Sequence, residues 1–370
     1  MPETSTPIRI GIIGCGQIAQ HHMNTYSKLT GAKMVACADI NEAAAQKASE
    51  TYNIPNVYSD FHKMLERDDL DAVDVCLHNN FHMPATVAVL ESGKNAYCEK
   101  PMAGSYRDAT IMLETARRTG KKLHIQLSTL YINETRAARE LIAAGELGNL
   151  YHARSTGHRR RGRPYVDGYG TPTFVQKRNS AGGALYDVGV YHISQILFLL
   201  GNPNVERISG KTYQEIDMDA GRKATSGYDV EELGLGFVRL ANNMSLDIIE
   251  SWAIHMDSFE GPVIVGSSGG VRLSPFGFFR SYGDLDVNGT VDMKGARFRW
   301  DNVKGDGHFY ADSQAHWIAA LQHKVDLLPT AEIALNTMLV SEGIYLSEKR
   351  GCEVSADEVF EASASTAVKI

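Results

Sequence analysis

Ile8-Arg9-Ile10-Gly11-Ile12-Ile13-Gly14-Cys15-Gly16-Gln17-Ile18-Ala19 decides the reading of this chain. A short apolar, β-branched run leads straight into a G-x-G-x-x-A turn. Gly14 permits the tight turn, Gly16 lets the backbone approach a pyrophosphate, and Ala19 allows the next helix to pack closely on the strand. The amides that open that helix, at Gln17 and Ile18, then face an anion. Glycine-rich turns are common, so the context carries the inference. A strand precedes this one, a helix follows it, and Asp39 ends the next strand twenty positions after Ala19. A carboxylate there is placed to accept the 2′-hydroxyl of an adenosine ribose. Asp39-Ile40-Asn41 offers no arginine for a 2′-phosphate, and its charge repels one. NAD is therefore expected as the cofactor, ahead of NADP.

Strands are expected at 8–13, 33–38, 72–77, 95–98 and 122–126, with helices at 18–29, 42–51, 84–92 and 106–119 between them. Strands that are apolar on both faces and alternate with helices imply a parallel sheet covered on both sides. This predicts an α/β fold with an N-terminal doubly wound Rossmann domain over 1–127. After one more helix, at 133–144, the pattern changes. From 150 to about 301 it shows strand-like alternation, at 230–240, 244–252, 263–265 and 297–300, broken by one helix at 186–200. Helices at 308–323 and 331–349 follow. Residues 128–370 thus read as an α+β domain on a mainly antiparallel open sheet, for substrate binding and oligomerisation. Its last helices are free to pack back on the first domain. A mobile tail is expected near 361–370.

Cys98-Glu99-Lys100-Pro101 stands at the tip of the 95–98 strand, where open parallel sheets bind ligands. A lysine there can polarise a reacting oxygen and share its proton. The second cluster is Gly182-Gly183-Ala184-Leu185-Tyr186-Asp187-Val188-Gly189-Val190-Tyr191-His192. On a helix, Asp187 and Tyr191 share a face, and His192 lies one residue further round. The spacing suits an acid/base set and equally a helix that buries its Tyr and His with satisfied hydrogen bonds.

These two clusters carry a resemblance to the Gfo/Idh/MocA family (glucose–fructose oxidoreductase, inositol dehydrogenase and rhizopine catabolism proteins). It covers most of the chain and is strongest over 8–130 and 180–200. The resemblance implies reversible oxidation of a secondary hydroxyl on a sugar, glycoside or cyclitol. It implies that Lys100 is the central catalytic residue, that Asp187 partners lysine or substrate, and that the open sheet forms an oligomer interface. Many members carry Thr-Pro-Asn-x-x-His where this chain has Leu77-His78-Asn79-Asn80-Phe81-His82. Asn79 and His82 match, and with Glu99 and Lys100 they are expected to meet the cofactor. Tyr191 stands where inositol dehydrogenase-like members have histidine, so Tyr191 or His192 is the proton relay. Some relatives are NAD-dependent glycosidases that oxidise transiently and eliminate, and some homologous folds are non-catalytic dinucleotide sensors. Both remain rival readings.

His158-Arg159-Arg160-Arg161-Gly162-Arg163-Pro164-Tyr165 is unusually basic. Arg159, Arg163 and Tyr165, with Lys100, Asp187 and His192, are the expected substrate contacts; a solvated loop or salt-bridge cluster fits the run as well. His308 is a weaker candidate, and Trp252 and His255 are ambiguous. The net charge of −7 argues against a nucleic-acid partner. No apolar run reaches the roughly 20 residues of a membrane helix. Five scattered cysteines without a CxxC pair or Cys/His cluster suggest no metal and a reducing compartment. The first seven residues lack signal-peptide character, so a cytoplasmic homodimer or homotetramer acting on a small polyol is expected.

Overall fold

The structure, a computed structural model, describes residues 6–370. Residues 1–5, part of the stretch read for targeting signals, lie outside it. The first half alternates as β1 (Ile8–Ile13), α1 (Gln17–Tyr26), β2 (Ala32–Ala38), α2 (Glu42–Tyr52), β3 (Asn56–Tyr58), α3 (Phe61–Leu65), β4 (Ala72–Val75), α4 (Asn79–Glu91), β5 (Asn95–Cys98), α5 (Tyr106–Thr119) and β6 (Leu123–Ile125). These strands form one parallel sheet in the order β3-β2-β1-β4-β5-β6. The order reverses between β1 and β4, which opens a crevice outside their carboxyl ends. β3 and α3 escape a reading by periodicity because three and five residues are too short to show one.

The second half runs α6 (Asn133–Ala143), β7 (Leu150–His158), α7 (Lys177–Ser180), α8 (Val190–Leu199), β8 (Val205–Tyr213), α9 (Ala220–Ser226), β9 (Leu233–Leu240), β10 (Met244–Ser251), β11 (Val263–Gly266), β12 (Gly270–Leu273), β13 (Phe276–Tyr282) and β14 (Leu285–Gly289). It ends with α10 (Met293–Arg299), α11 (Ser313–Leu321), α12 (Thr330–Arg350), β15 (Val354–Ser355) and α13 (Ala356–Ala362). Nine strands make the second sheet, β14-β13-β12-β11-β7-β10-β9-β8-β15. It is antiparallel except where β10 runs parallel to β7, with Ser245 opposite His152. α8 and α12 cover one face. The other carries Phe237, exposed opposite Asp247 of β10.

Three expectations are corrected. The 297–300 segment is helical: Asp292 caps α10 by accepting from the Gly295 amide, and Trp300 is buried beside Ala137 of α6, with Arg136 over its ring. Helix α4 begins at Asn79, five residues before Pro84. Proline has no N–H, which frees the Asn80 carbonyl that would otherwise accept from position 84. That carbonyl accepts from Val368 instead. The third correction follows, since the 361–370 tail is docked: Thr366 donates from its amide to Asp108 and from its hydroxyl to Asn80.

The starts of α11 and α12 meet β5 and β6. Tyr97 donates to Ser313, the Ile125 amide to Thr330, and His124 lies 3.0 Å from Thr330 Oγ1. Beside it, wholly buried His316 accepts from the Leu328 amide through Nε2, so its ring must be neutral. Burial lowers its pKa from 6.5 to about 4. The unfolded chain therefore takes up a proton between those values that the folded chain refuses, and stability falls as pH drops from 6.5 towards 4. Denaturant unfolding at pH 7 and pH 5 should show a loss roughly 2 kcal/mol greater in the natural protein than in His316→Gln. Equal losses would show that His316 does not titrate.

Candidate active site

The crevice begins at the turn after β1. Gly14 has φ +88°, and a Cβ there would sit 2.3 Å from the Cys76 carbonyl oxygen. Only glycine fits. At Gly16, by contrast, a Cβ would meet nothing within 4 Å. Gly16 is also the N-cap of α1, with no side chain satisfying the first amides, and Gln17 and Ile18 are exposed. An open cradle above unpartnered helix amides fits a pyrophosphate. Asp39 accepts from the amides of Cys15 (2.7 Å) and Asn41 (2.8 Å), which fixes the carboxylate at the tip of β2.

Lys100 follows β5 across the crevice. Its Nζ donates to Asp187 Oδ1 (2.8 Å) and to the Asp187 carbonyl (3.2 Å), and lies 4.7 Å from the centre of the Tyr191 ring. The amine and carboxylate are mostly buried, at 11% and 14% exposure. Burial disfavours the lysine charge, but Asp187, Tyr191 and Glu99 outweigh it and hold its pKa above the ordinary value. Burial likewise opposes ionisation of Asp187, yet Lys100 and Trp252 keep its carboxyl below the usual range. Its second oxygen accepts from Trp252 Nε1 (2.8 Å) and lies 3.7 Å from Arg159.

His192 turns towards the sheet. Its Nδ1 lies 2.8 Å from Glu250, which is fully buried and also accepts from Ser155. Burial opposes protonation of His192, but Glu250 raises its pKa above 6.5. Burial pushes the Tyr191 phenol up, which keeps it protonated. The helix reaches this arrangement through a π turn at Leu185–Gly189 that runs directly into α8. Glu250 and Trp252 were not singled out for a role by the sequence reading. Glu250 is near the end of β10 and Trp252 just past it, two residues on and, for extended backbone, about 7 Å further along. That rise matches the roughly 7.5 Å between Asp187 and His192 along a helix.

Other expected residues fall elsewhere. Asn79 donates to the Ser180 carbonyl and so ties α4 to the segment leading to Asp187. His82 is wholly buried, its ring nitrogens 2.7 Å and 3.0 Å from the Pro101 and Leu77 carbonyls. It holds the Lys100 loop from behind, which corrects its expected contact with the cofactor. Glu99 is corrected in the same way: it is buried, accepting from the Lys100 amide and paired with His22. Arg163 is the clearest correction. It has no accessible surface, pairs with Asp167 and Glu232, and donates to the Ile216 and Asp217 carbonyls, leaving no hydrogen for a substrate. Tyr165 adopts φ +60° and packs under Arg222. Arg159 is partly exposed beside Asp187 and bonds the Tyr169 hydroxyl. Exposed His308 lies tilted against the Phe309 ring, away from Lys100 and Asp187. A cavity of about 500 Å³ lined by Lys177, Glu231 and Tyr345 contains none of the Lys100 cluster, so converging charges rather than depth locate the site.

Comparison with known proteins gives a consistent result. The pattern of an oxidoreductase family with an NAD-binding Rossmann fold matches residues 8–127, and the C-terminal domain pattern of the same family matches 135–272. The chain is 31% identical to D-glucoside 3-dehydrogenase of Escherichia coli K12 over 359 residues, 95% of this chain and 98% of that one. It is 23% identical to D-apiose dehydrogenase of Paraburkholderia graminis over 92% of this chain and 87% of that one. Among solved structures, levoglucosan dehydrogenase in complex with NADH and levoglucosan superposes with a TM-score of 0.79 at 18% identity, covering 95% of this chain and all of that one. That likeness speaks to the fold. With the nucleotide turn, the paired sheets and the near full-length relative together, the chain belongs to the Gfo/Idh/MocA family of NAD-dependent oxidoreductases.

Proposed function

We propose that this enzyme reversibly oxidises a secondary hydroxyl of a sugar, glycoside or cyclitol, with Lys100 donating a hydrogen bond to the reacting oxygen. The single observation behind this is the 2.8 Å contact between the Lys100 ammonium and Asp187 at the carboxyl end of the parallel sheet. Bound NAD⁺ supplies the hydride acceptor. Gly14, Gly16, Gln17 and Ile18 receive its phosphates, Asp39 its ribose, and Asn79 shapes the wall through Ser180. Asp187 keeps Lys100 charged and aimed, so the amine cannot itself take the hydroxyl proton near neutral pH. His192 is the better-matched acceptor, because Glu250 orients the ring and raises its basicity, leaving Nε2 to act. Tyr191, kept as a phenol, shelves the Lys100 ammonium and orients substrate, with Arg159 at the rim. The similarity to D-glucoside 3-dehydrogenase favours a glycoside over a free cyclitol.

The domain boundary is placed at 127/128, and the open face of the second sheet is read as a homodimer or homotetramer interface. A cytoplasmic enzyme without nucleic-acid or membrane partners suits the net charge of −7 and four buried free cysteines. Incubation with NAD⁺ and a panel of glycosides, sugars and inositols should give NADH with at least one; bound cofactor without turnover on any would overturn the reading. Asp39→Ser combined with Ile40→Arg is expected to move the NAD/NADP ratio of kcat/KM by about 10²-fold towards NADP. The serine hydroxyl can still accept from the Cys15 amide. An unchanged ratio would remove Asp39 from the ribose site.

A further inference from the structure

Beneath the phosphate-binding turn lies a sealed group of charges. His22, on α1 six residues after Gly16, has no accessible surface, and neither does Asp74 on β4. The His22 ring lies between two carboxylates, with Nδ1 2.9 Å from Asp74 Oδ2 and Nε2 2.9 Å from Glu99 Oε1. The other oxygen of Glu99 accepts from the Lys100 amide at 2.8 Å. A neutral imidazole has one N–H, and two carboxylates at this range each need a donor. The ring that satisfies both is an imidazolium.

The remaining titratable neighbours do not compete for that charge. Cys76 Sγ lies 3.4 Å from His22 Nδ1 and donates to Asp74 Oδ1. Burial pushes its thiol up to about 12, so it stays neutral. Tyr97 meets the ring edge-on at 5.7 Å, and Tyr26 lies near Asp74; burial pushes both phenols up. His22, Asp74 and Cys76 offer atoms within 4.8 Å of one another, a spacing a metal also accepts. The two 2.9 Å contacts, one on each ring nitrogen, are those of charge-assisted hydrogen bonds and use every donor the ring has.

Asp74 sits on β4 and Glu99 just past the end of the neighbouring β5, whereas His22 comes from the helix that receives the phosphates. We infer that His22 is a positioning residue: held as an imidazolium between Asp74 and Glu99, it ties the cofactor-binding helix to the loop that presents Lys100. This rests on the reading of Lys100 given above. Without the cation, Glu99 loses one of its two anchors and Lys100 its register against Asp187. Displacements of about 1 Å at a reacting centre cost on the order of 10²-fold in rate.

The test uses the full chain. His22→Gln should lower kcat roughly 10- to 100-fold while the NAD⁺ dissociation constant from calorimetry stays within about two-fold. Glu99→Ala should show the same split, and the double variant should lose no more than the worse single, because the two act in one chain. Histidine ¹⁵N spectra of the natural protein without cofactor should show both His22 nitrogens protonated at pH 7.5. A folded His22→Gln with unchanged kcat, additive losses in the double variant, a neutral ring, or a stoichiometric bound metal would each overturn the inference. Should His22→Gln not fold, Glu99→Ala and the spectra decide. An active Lys100→Met would sink the functional reading instead, whereas an inactive Lys100→Met beside a fully active His22→Gln would sink only this one.

Discussion

Lys100→Met is expected to lower kcat by roughly 10³-fold, about 4 kcal/mol in the barrier, while NAD⁺ still binds. The size follows from the geometry. Lys100 is the cation bonded to Asp187 and stacked on Tyr191 at the mouth of the crevice. Methionine keeps the packing of the side chain and removes its donors, leaving Asp187 with Trp252 and the more distant Arg159. Cofactor affinity should change little, since Gly16 and Asp39 lie at the far side of the turn. Steady-state rates and calorimetry on one preparation separate the two effects. A variant that retained a tenth of the natural kcat would show that another group polarises the oxygen. Lys100→Arg should recover only part of the loss, because a planar guanidinium places its charge differently.

Arg163→Ala is expected to cost about 3–5 kcal/mol of stability, the range for breaking a buried ion pair from one side. Arg163 has no accessible surface, while Asp167 and Glu232 are 8% and 2% exposed at their side chains. Alanine would strand both carboxylates and the Ile216 and Asp217 carbonyls. Denaturant unfolding would read the loss as a lower midpoint. The Michaelis constant for the sugar, measured on the folded fraction, should stay put. The opposite pattern, full stability with a weakened Michaelis constant, would restore Arg163 to the substrate site. Its neighbour Arg159 is exposed beside Asp187, so truncation there should act on catalysis and leave unfolding nearly unchanged.

Four positions apart in sequence, Arg159 and Arg163 thus take opposite tasks, and the one local difference, Asp167 four residues after Arg163, does not by itself bury that side chain. The basic run supplied the charge. The carboxylate that neutralises Arg163 from a distance is Glu232, 69 residues further along the chain. The same holds for Glu250, near the end of β10, and Trp252, just past it, which carry no local signal until β10 is laid against the helix that carries Asp187 and His192. Short elements were also hidden: β3 has three residues, and the π turn at Leu185–Gly189 leaves no periodic signature.

What the amino-acid sequence determined alone was whatever depends on neighbours in the chain. That covers the glycine turn with its helix, the apolar runs that specify a buried parallel sheet, Asp39 at a strand tip, and Lys100 after β5. These follow from steric and hydrogen-bonding rules acting over a few residues. Only the tertiary structure decided which charges meet: Lys100 with Asp187, His192 with Glu250, His22 with Asp74 and Glu99, and Arg163 with Glu232. Each pairing joins groups at least 50 residues apart, and its strength depends on the exclusion of water, a property that belongs to the packed molecule and to no single stretch of chain.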